Sequence, residues 1–138
     1  MSFEVFLLCF GESEPAGIPR DAVRSLFPVI AEESKPDCWR VRYDDKNSCD
    51  IYPTVDKSNE KMLKSLMVHR PCGDLRLWDA LLSVLRMGSV VMLWPGGPPV
   101  VADEIVASSL PRDVTDSKIG PPRSVCSGDE ILRLIRES

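Results

Sequence analysis

The sequence predicts an α+β domain in which a mixed, mainly antiparallel sheet of about five strands carries its helices on one face. Three observations lead there. Residues 63–94 read as strand, loop, helix, strand, with LKSLMVHR and SVVMLW on either side of LRLWDALLSVLRMG. CWRVRY and SCDIY flank the turn-forming DDKN, as the two arms of a hairpin do. Residues 3–10 are almost wholly apolar with Glu4 as the one charge, which suits a strand buried on both faces. Short links among the middle strands favour antiparallel pairing. The helix between 63–69 and 89–94 supplies the crossover that would let those two strands run parallel.

Each element follows from its residues. After the first strand, 11–17 is polar and turn-rich, and Ile18-Pro19-Arg20-Asp21 opens a helix, proline being suited to a first turn. Val23, Leu26, Phe27 and Ile30 share its inner face, and Pro28 breaks it, because a mid-helix proline loses a hydrogen bond and clashes with the preceding turn. In the hairpin Trp39, Val41 and Tyr43 fall on one face with Cys49 and Ile51, leaving Arg40 and Arg42 on a wet face. Residues 53–60 read as a polar turn leading back to 63–69. The next helix has Asp74 as N-cap, Gly88 at the C′ position, and Leu75, Trp78, Leu81, Leu82 and Leu85 on its buried face. A short helix is expected over 102–110 and an irregular surface connector over 111–126. Ser127-Gly128-Asp129-Glu130 is a capping box ahead of Ile131, Leu132, Leu134 and Ile135. The expected order is β-α-β-β-β-α-β-α-α, in a single domain over 1–138.

Bulk properties remove several functional classes. A net charge of −4 and a pI near 5.0 give no general attraction to nucleic acid or to an anionic membrane, so neither is an expected partner. The apolar start has no basic n-region, and no apolar run reaches the roughly 18 residues of a spanning helix, so a cytoplasmic protein is expected. Cys9, Cys38, Cys49, Cys72 and Cys126 are scattered without a C-x-x-C pair, which suits reduced thiols better than disulfides or zinc. The acidic pairs Glu12/Glu14, Asp44/Asp45 and Asp103/Glu104 lack a nearby histidine, so no metal and no cofactor are expected.

Three stretches are candidate sites. In His69-Arg70-Pro71-Cys72-Gly73-Asp74 a thiol stands just ahead of a helix N-terminus, whose positive end favours the thiolate, with the only histidine nearby. A Cys72/His69 nucleophile would follow from that pairing, although Cys72 and Arg76 stand closer together than the cysteine and arginine of a phosphatase-type loop. Packing of Cys72 as a small hydrophobe is the plainer account. Trp94-Pro95-Gly96-Gly97-Pro98-Pro99 lies beyond a strand end, where a glycine loop admits a ligand or a protein and Trp94 could anchor a contact. It lacks the lysine of a phosphate-binding loop, and a rigid turn is its plainer account. Trp39-Arg40-Val41-Arg42-Tyr43 interleaves bases and aromatics, but strand alternation sends the two kinds to opposite faces.

The stretches FEVFLLCFGESEPAGIPRDAVRSLF, LMVHRPCGDLRLWDALLSVLR and VVMLWPGG resemble small bacterial cytosolic proteins without an assigned activity, of the immunity-protein type. That resemblance implies an acidic α+β protein that neutralises a partner toxin, and it carries no functional residue with it. The first expectation is therefore a protein-binding module, an immunity or inhibitor protein, contacting its partner through Trp94, Gly96, Gly97, Asp44 and Asp45. The alternatives are a small enzyme or ligand-binding protein using Cys72 and His69 near the loop after Trp94, and a structural homodimer paired through an exposed edge strand or the Trp94 loop.

Overall fold

Period-two alternation in the N-terminal run sets the axis of the sheet. The computed structural model describes residues 3–10, 17–103 and 121–137. Strand β1 (Glu4–Cys9) lies between β5 (Asn59–His69) and β6 (Val90–Leu93) and is antiparallel to both. Beyond β5 come β4 (Asn47–Asp56) and β3 (Trp39–Asp44), and beyond β6 come β7 (Val100–Val101) and β8 (Arg123–Ser124). The two-residue β2 (Ile18–Pro19) pairs with β5. Among the described residues the sheet is thus mixed and mainly antiparallel, with β7–β8 as its parallel pair, and it has eight strands where about five were expected. The three additional strands, β2, β7 and β8, are each two residues long, too short for periodicity to reveal.

Helix α2 (Leu75–Leu85) connects β5 to β6, which run parallel to each other with β1 between them. The expected parallel relation therefore holds, without direct pairing. Side chains of α1 (Arg20–Arg24), α2 and α3 (Gly128–Glu137) enter one large apolar cluster, on the face of β1 that carries Val5 and Leu7. Val23, Leu77, Trp78, Leu81, Leu85 and Ile131 are almost wholly buried there. Because α2 packs against both the sheet and α3, its buried arc is wider than one amphipathic stripe. Leu77, Ala80 and Val84 are buried, while the expected core residue Leu75 is 44% exposed.

Several local expectations give way. The first helix spans only five residues, and Pro28 serves instead beside the outer strand, where Arg42 N–H donates to its carbonyl and Ile30 N–H donates to Arg40. Pro53 sits inside β4 opposite Leu66, so the turn is confined to Lys57 and Ser58. The β3 partner residues end at Trp39 opposite Ile51, so Pro53 has no ladder bond to lose on that side. Helix α2 ends with Arg86 in right-handed geometry, and Gly88 is not among the described residues with positive φ, so it is no left-handed C′ cap. The expected helix over 102–110 lies almost entirely outside the described residues. Of the 111–126 connector the described end contains β8, which is paired rather than irregular.

Candidate functional site

Two places gather chemistry: the entrance to α2, and the face of the sheet that the described helices leave open. At the first, Asp74 caps the helix as expected, its Oδ1 accepting from Arg76 N–H at 2.9 Å. Arg76 grips the same carboxylate through Nε at 2.9 Å and Nη2 at 2.6 Å, and reaches Asp44 at 3.2 Å. Its guanidinium also lies 5.1 Å from the centre of the Tyr43 ring. One arginine therefore ties the β3–β4 turn to the start of α2. Held by both oxygens, the Asp74 carboxyl falls to about 2.

A carboxyl depressed on folding stabilises the native state above its ordinary range near 3.9, and that contribution is lost as pH falls toward 2. Asp74→Asn keeps a competent cap and removes the titration, so its stability should change less steeply between about pH 4 and 2 than that of the native chain. Asp74→Ala should cost about 1 kcal/mol at neutral pH as well. Urea unfolding across that pH range measures both.

Cys72 precedes this cap and is half-buried, its carbonyl accepting from the Trp78 indole at 3.0 Å. Cys49 lies on the core face of β4 and is 2% exposed. With Cys49 as the main donor, the Cys72 thiol is lowered to about 7, while donation and burial push Cys49 up. Half-buried Cys9 is raised to about 11 by desolvation. Tyr43 completes the cluster, with a buried hydroxyl that has no partner among the described residues. The backbone bends sharply here, Arg70 adopting a φ of 52°.

His69 does not join Cys72. It stands directly opposite Glu4 and Asp50 in the sheet, its Nδ1 lies 3.4 Å from Glu4, and its ring meets Tyr52 edge-on at 6.3 Å. Cys49 alternates with these residues and faces the core, so the thiols and the imidazole lie on opposite faces of the sheet. The structure therefore does not bring Cys72 and His69 together.

The glycine loop is the rigid turn of the plainer account. Gly97 N–H donates to Trp94 O at 3.3 Å around Pro95 and Gly96, and Gly96 has the φ of 85° that the third position of a type II turn requires. Trp94 is only 5% exposed and lies over Gly97, where a Cβ would fall 1.9 Å from the indole. As placed, it is a core residue and offers no anchor. Asp44 is occupied by Lys46 N–H, Asn47 and Arg76, whereas Asp45 stands exposed at the turn.

The open face was the feature missed. Directly paired residues share a face, which lines up three rows across it. Arg40, Asp50, His69 and Glu4 form a polar row; Tyr52, Met67, Phe6 and Leu93 form the next; Thr54, Ser65, Leu8 and Val91 form the third. The middle row spans about 14 Å at ordinary strand spacing. Arg40 pairs with Asp50 at 3.0 Å, closing the polar end. Toward β7 the face is closed, Val91 and Val101 being buried with Phe10 and Leu93 against them, but Leu8 and Tyr52 are each 37% exposed. The signal was available in the alternate positions of the first strand, Phe6 and Leu8, taken with Tyr52 and Met67.

Arg42 pairs with Glu33 at 3.2 Å, so the two arginines of β3 are matched by acids rather than presented as a basic surface. No described helix is long and apolar enough to cross a membrane, and the described residues contain no group of three or more metal-ligating side chains. No protein-family model, curated protein or solved structure matches the chain.

Proposed function

We propose that the chain is a protein-binding module that docks a partner protein on the open face of its sheet, in the manner of an immunity or inhibitor protein. The supporting observation is the row Tyr52–Met67–Phe6, with exposed Leu8 beside it and charged Arg40, Asp50 and Glu4 along one end. An apolar strip rimmed by charges is the anatomy of an interface, and Tyr, Phe, Met and Arg are the residues enriched there. The acidic balance of −4 favours encounter with a basic partner, whose own contact surface would be apolar at its centre.

Native mass spectrometry of the chain purified from its own host should find a stoichiometric complex with one protein. Leu8→Thr with Tyr52→Thr removes the two exposed anchors while keeping residues that suit strands, and should weaken that complex at least about tenfold. Thermal stability should change by no more than about 1 kcal/mol, since both side chains are substantially exposed. A complex of unchanged strength in the double variant would place the interface elsewhere. A bare monomer carrying a small-molecule adduct would favour a ligand-binding protein instead.

A further inference from the structure

We propose that the cleft between α1 and the turn at 34–38 binds a small phosphate monoester, its phosphate held by Arg20, Arg24 and Lys35 and its organic part resting against Trp39 and Pro36. The cleft encloses about 430 Å³, within the range of roughly 300–1,000 Å³ typical of small-molecule sites and more than a lone phosphate fills. Arg20 and Arg24 stand four residues apart on α1 and form one wall, and Lys35 comes from the other. Neither Arg24 nor Lys35 has an ion-pair partner among the described residues. Asp21 is the one acid among the described lining residues; its side chain is 89% exposed and meets Arg20 only at 3.5 Å. Three cations and one carboxylate leave a local charge of +2 in a chain whose net charge is −4. A phosphate monoester, at about −1.5 to −2 near neutral pH, balances that charge, whereas a carboxylate would leave half of it unmatched. Guanidinium forks also suit the paired oxygens of a phosphate.

The walls and floor are fixed by the fold. Val23, wholly buried, seats α1 in the core. Opposite it, Lys35 and Cys38 exchange backbone hydrogen bonds of 2.8 and 3.1 Å. Ser34 Oγ donates to Ile30 O at 2.6 Å and accepts from Arg40 N–H at 2.9 Å, which fastens the turn to β3. Trp39 lines the cleft while only 3% exposed, and its indole N–H has no hydrogen-bond partner among the described residues. A residue otherwise sealed into the core thus keeps an unused donor beside three cations. Trp39 shares the buried side of Ile51, so the cleft lies on the helix-bearing side of the sheet, away from Tyr52 and Leu8. A ligand bound here leaves the open face free.

The test is a titration of the full chain, followed by proton–nitrogen NMR correlation spectra, with phenyl phosphate, phenyl sulfate and inorganic phosphate. Phenyl sulfate keeps the ring and the tetrahedral group but carries one charge fewer, and inorganic phosphate keeps the charge but lacks the ring. Phenyl phosphate should shift the amides of residues 20–24 and 34–39 and the Trp39 indole, and should bind at least about fivefold more tightly than either control. Arg24→Gln and Lys35→Gln should each weaken it about tenfold, and should leave the rest of the spectrum in place because both side chains are exposed. Affinity should also fall as the pH drops through about 6, where the ester loses its second charge. No shifts in these segments at about 10 mM phenyl phosphate would overturn the proposal. Equal binding of phenyl sulfate or of inorganic phosphate would do the same, as would unchanged affinity in either variant. The two control ligands decide the matter on the native chain even if a variant fails to fold.

Discussion

Replacing Trp78 with alanine is expected to lower stability by about 3–5 kcal/mol, the usual cost of deleting a buried aromatic side chain. Trp78 is 1% exposed, lies in the main core, and spends its one polar atom on the carbonyl of Cys72. Truncation leaves a cavity beneath the helices and at the same time frees the loop that carries Cys72. At a typical urea dependence of about 2 kcal/mol per molar, the unfolding midpoint should fall by about 2 M. Trp78→Phe divides the effect: it returns most of the volume but leaves the Cys72 carbonyl without its donor, so it should cost less than the alanine variant. The phenylalanine variant should also alkylate at Cys72 with a changed pH profile, because the loop has lost the bond that sets its position. A loss below about 1 kcal/mol in Trp78→Ala would mean that the indole is not the centre of this core.

What could be read in advance follows from the range of the forces involved. The hairpin of β3 and β4, the helix after Asp74 and the Ser127 capping box were legible because each is decided by neighbours in sequence. Asp44 binds the N–H groups of its own turn, Asp74 binds Arg76, and Ser127 accepts from Glu130 at 3.2 Å. The errors arose where a distant segment decides. Pro53 is tolerated inside β4 because β3 stops short of it, a fact about strand length and not about proline. Leu77 and Val84 are buried because the α2–α3 contact covers a second side of the helix. Trp94 looked like an exposed anchor until the turn at Gly96 folded Gly97 beneath its ring. The candidate site was half legible. Cys72 at a helix entrance was visible, and so was Cys49 on the buried face of the hairpin. The place of His69 was not, since the pairing of β5 with β1 and β4 sets it beside Glu4 and Asp50, on the face away from Cys49.

The second large effect is expected at Gly128, a residue that reads as nothing more than the second position of a capping box. Here α3 crosses α2 so closely that a Cβ on Gly128 would fall 2.6 Å from Asp79 N and 2.8 Å from the Trp78 carbonyl carbon. Those are backbone atoms inside a regular helix, so neither can turn aside as a side chain would. Gly128 N–H also donates to Asp79 Oδ1 at 3.2 Å, a bond that the separation of the helices would stretch. Gly128→Ala should therefore cost about 3 kcal/mol, the upper end of the range for adding one methyl group to a packed contact, despite alanine's better helix propensity. If α3 instead lifts off as a unit, the amides of residues 131–137 should lose hydrogen-exchange protection first, while those of β1 and β5 keep theirs. Asp79→Ala separates the two causes, since it removes the acceptor but leaves the backbone contact intact, and it should cost only about 1 kcal/mol. A Gly128→Ala protein as stable as the native one would show that the two helices can part without loss. The close approach would then be a consequence of packing elsewhere in the core and would not hold the C-terminal helix in place.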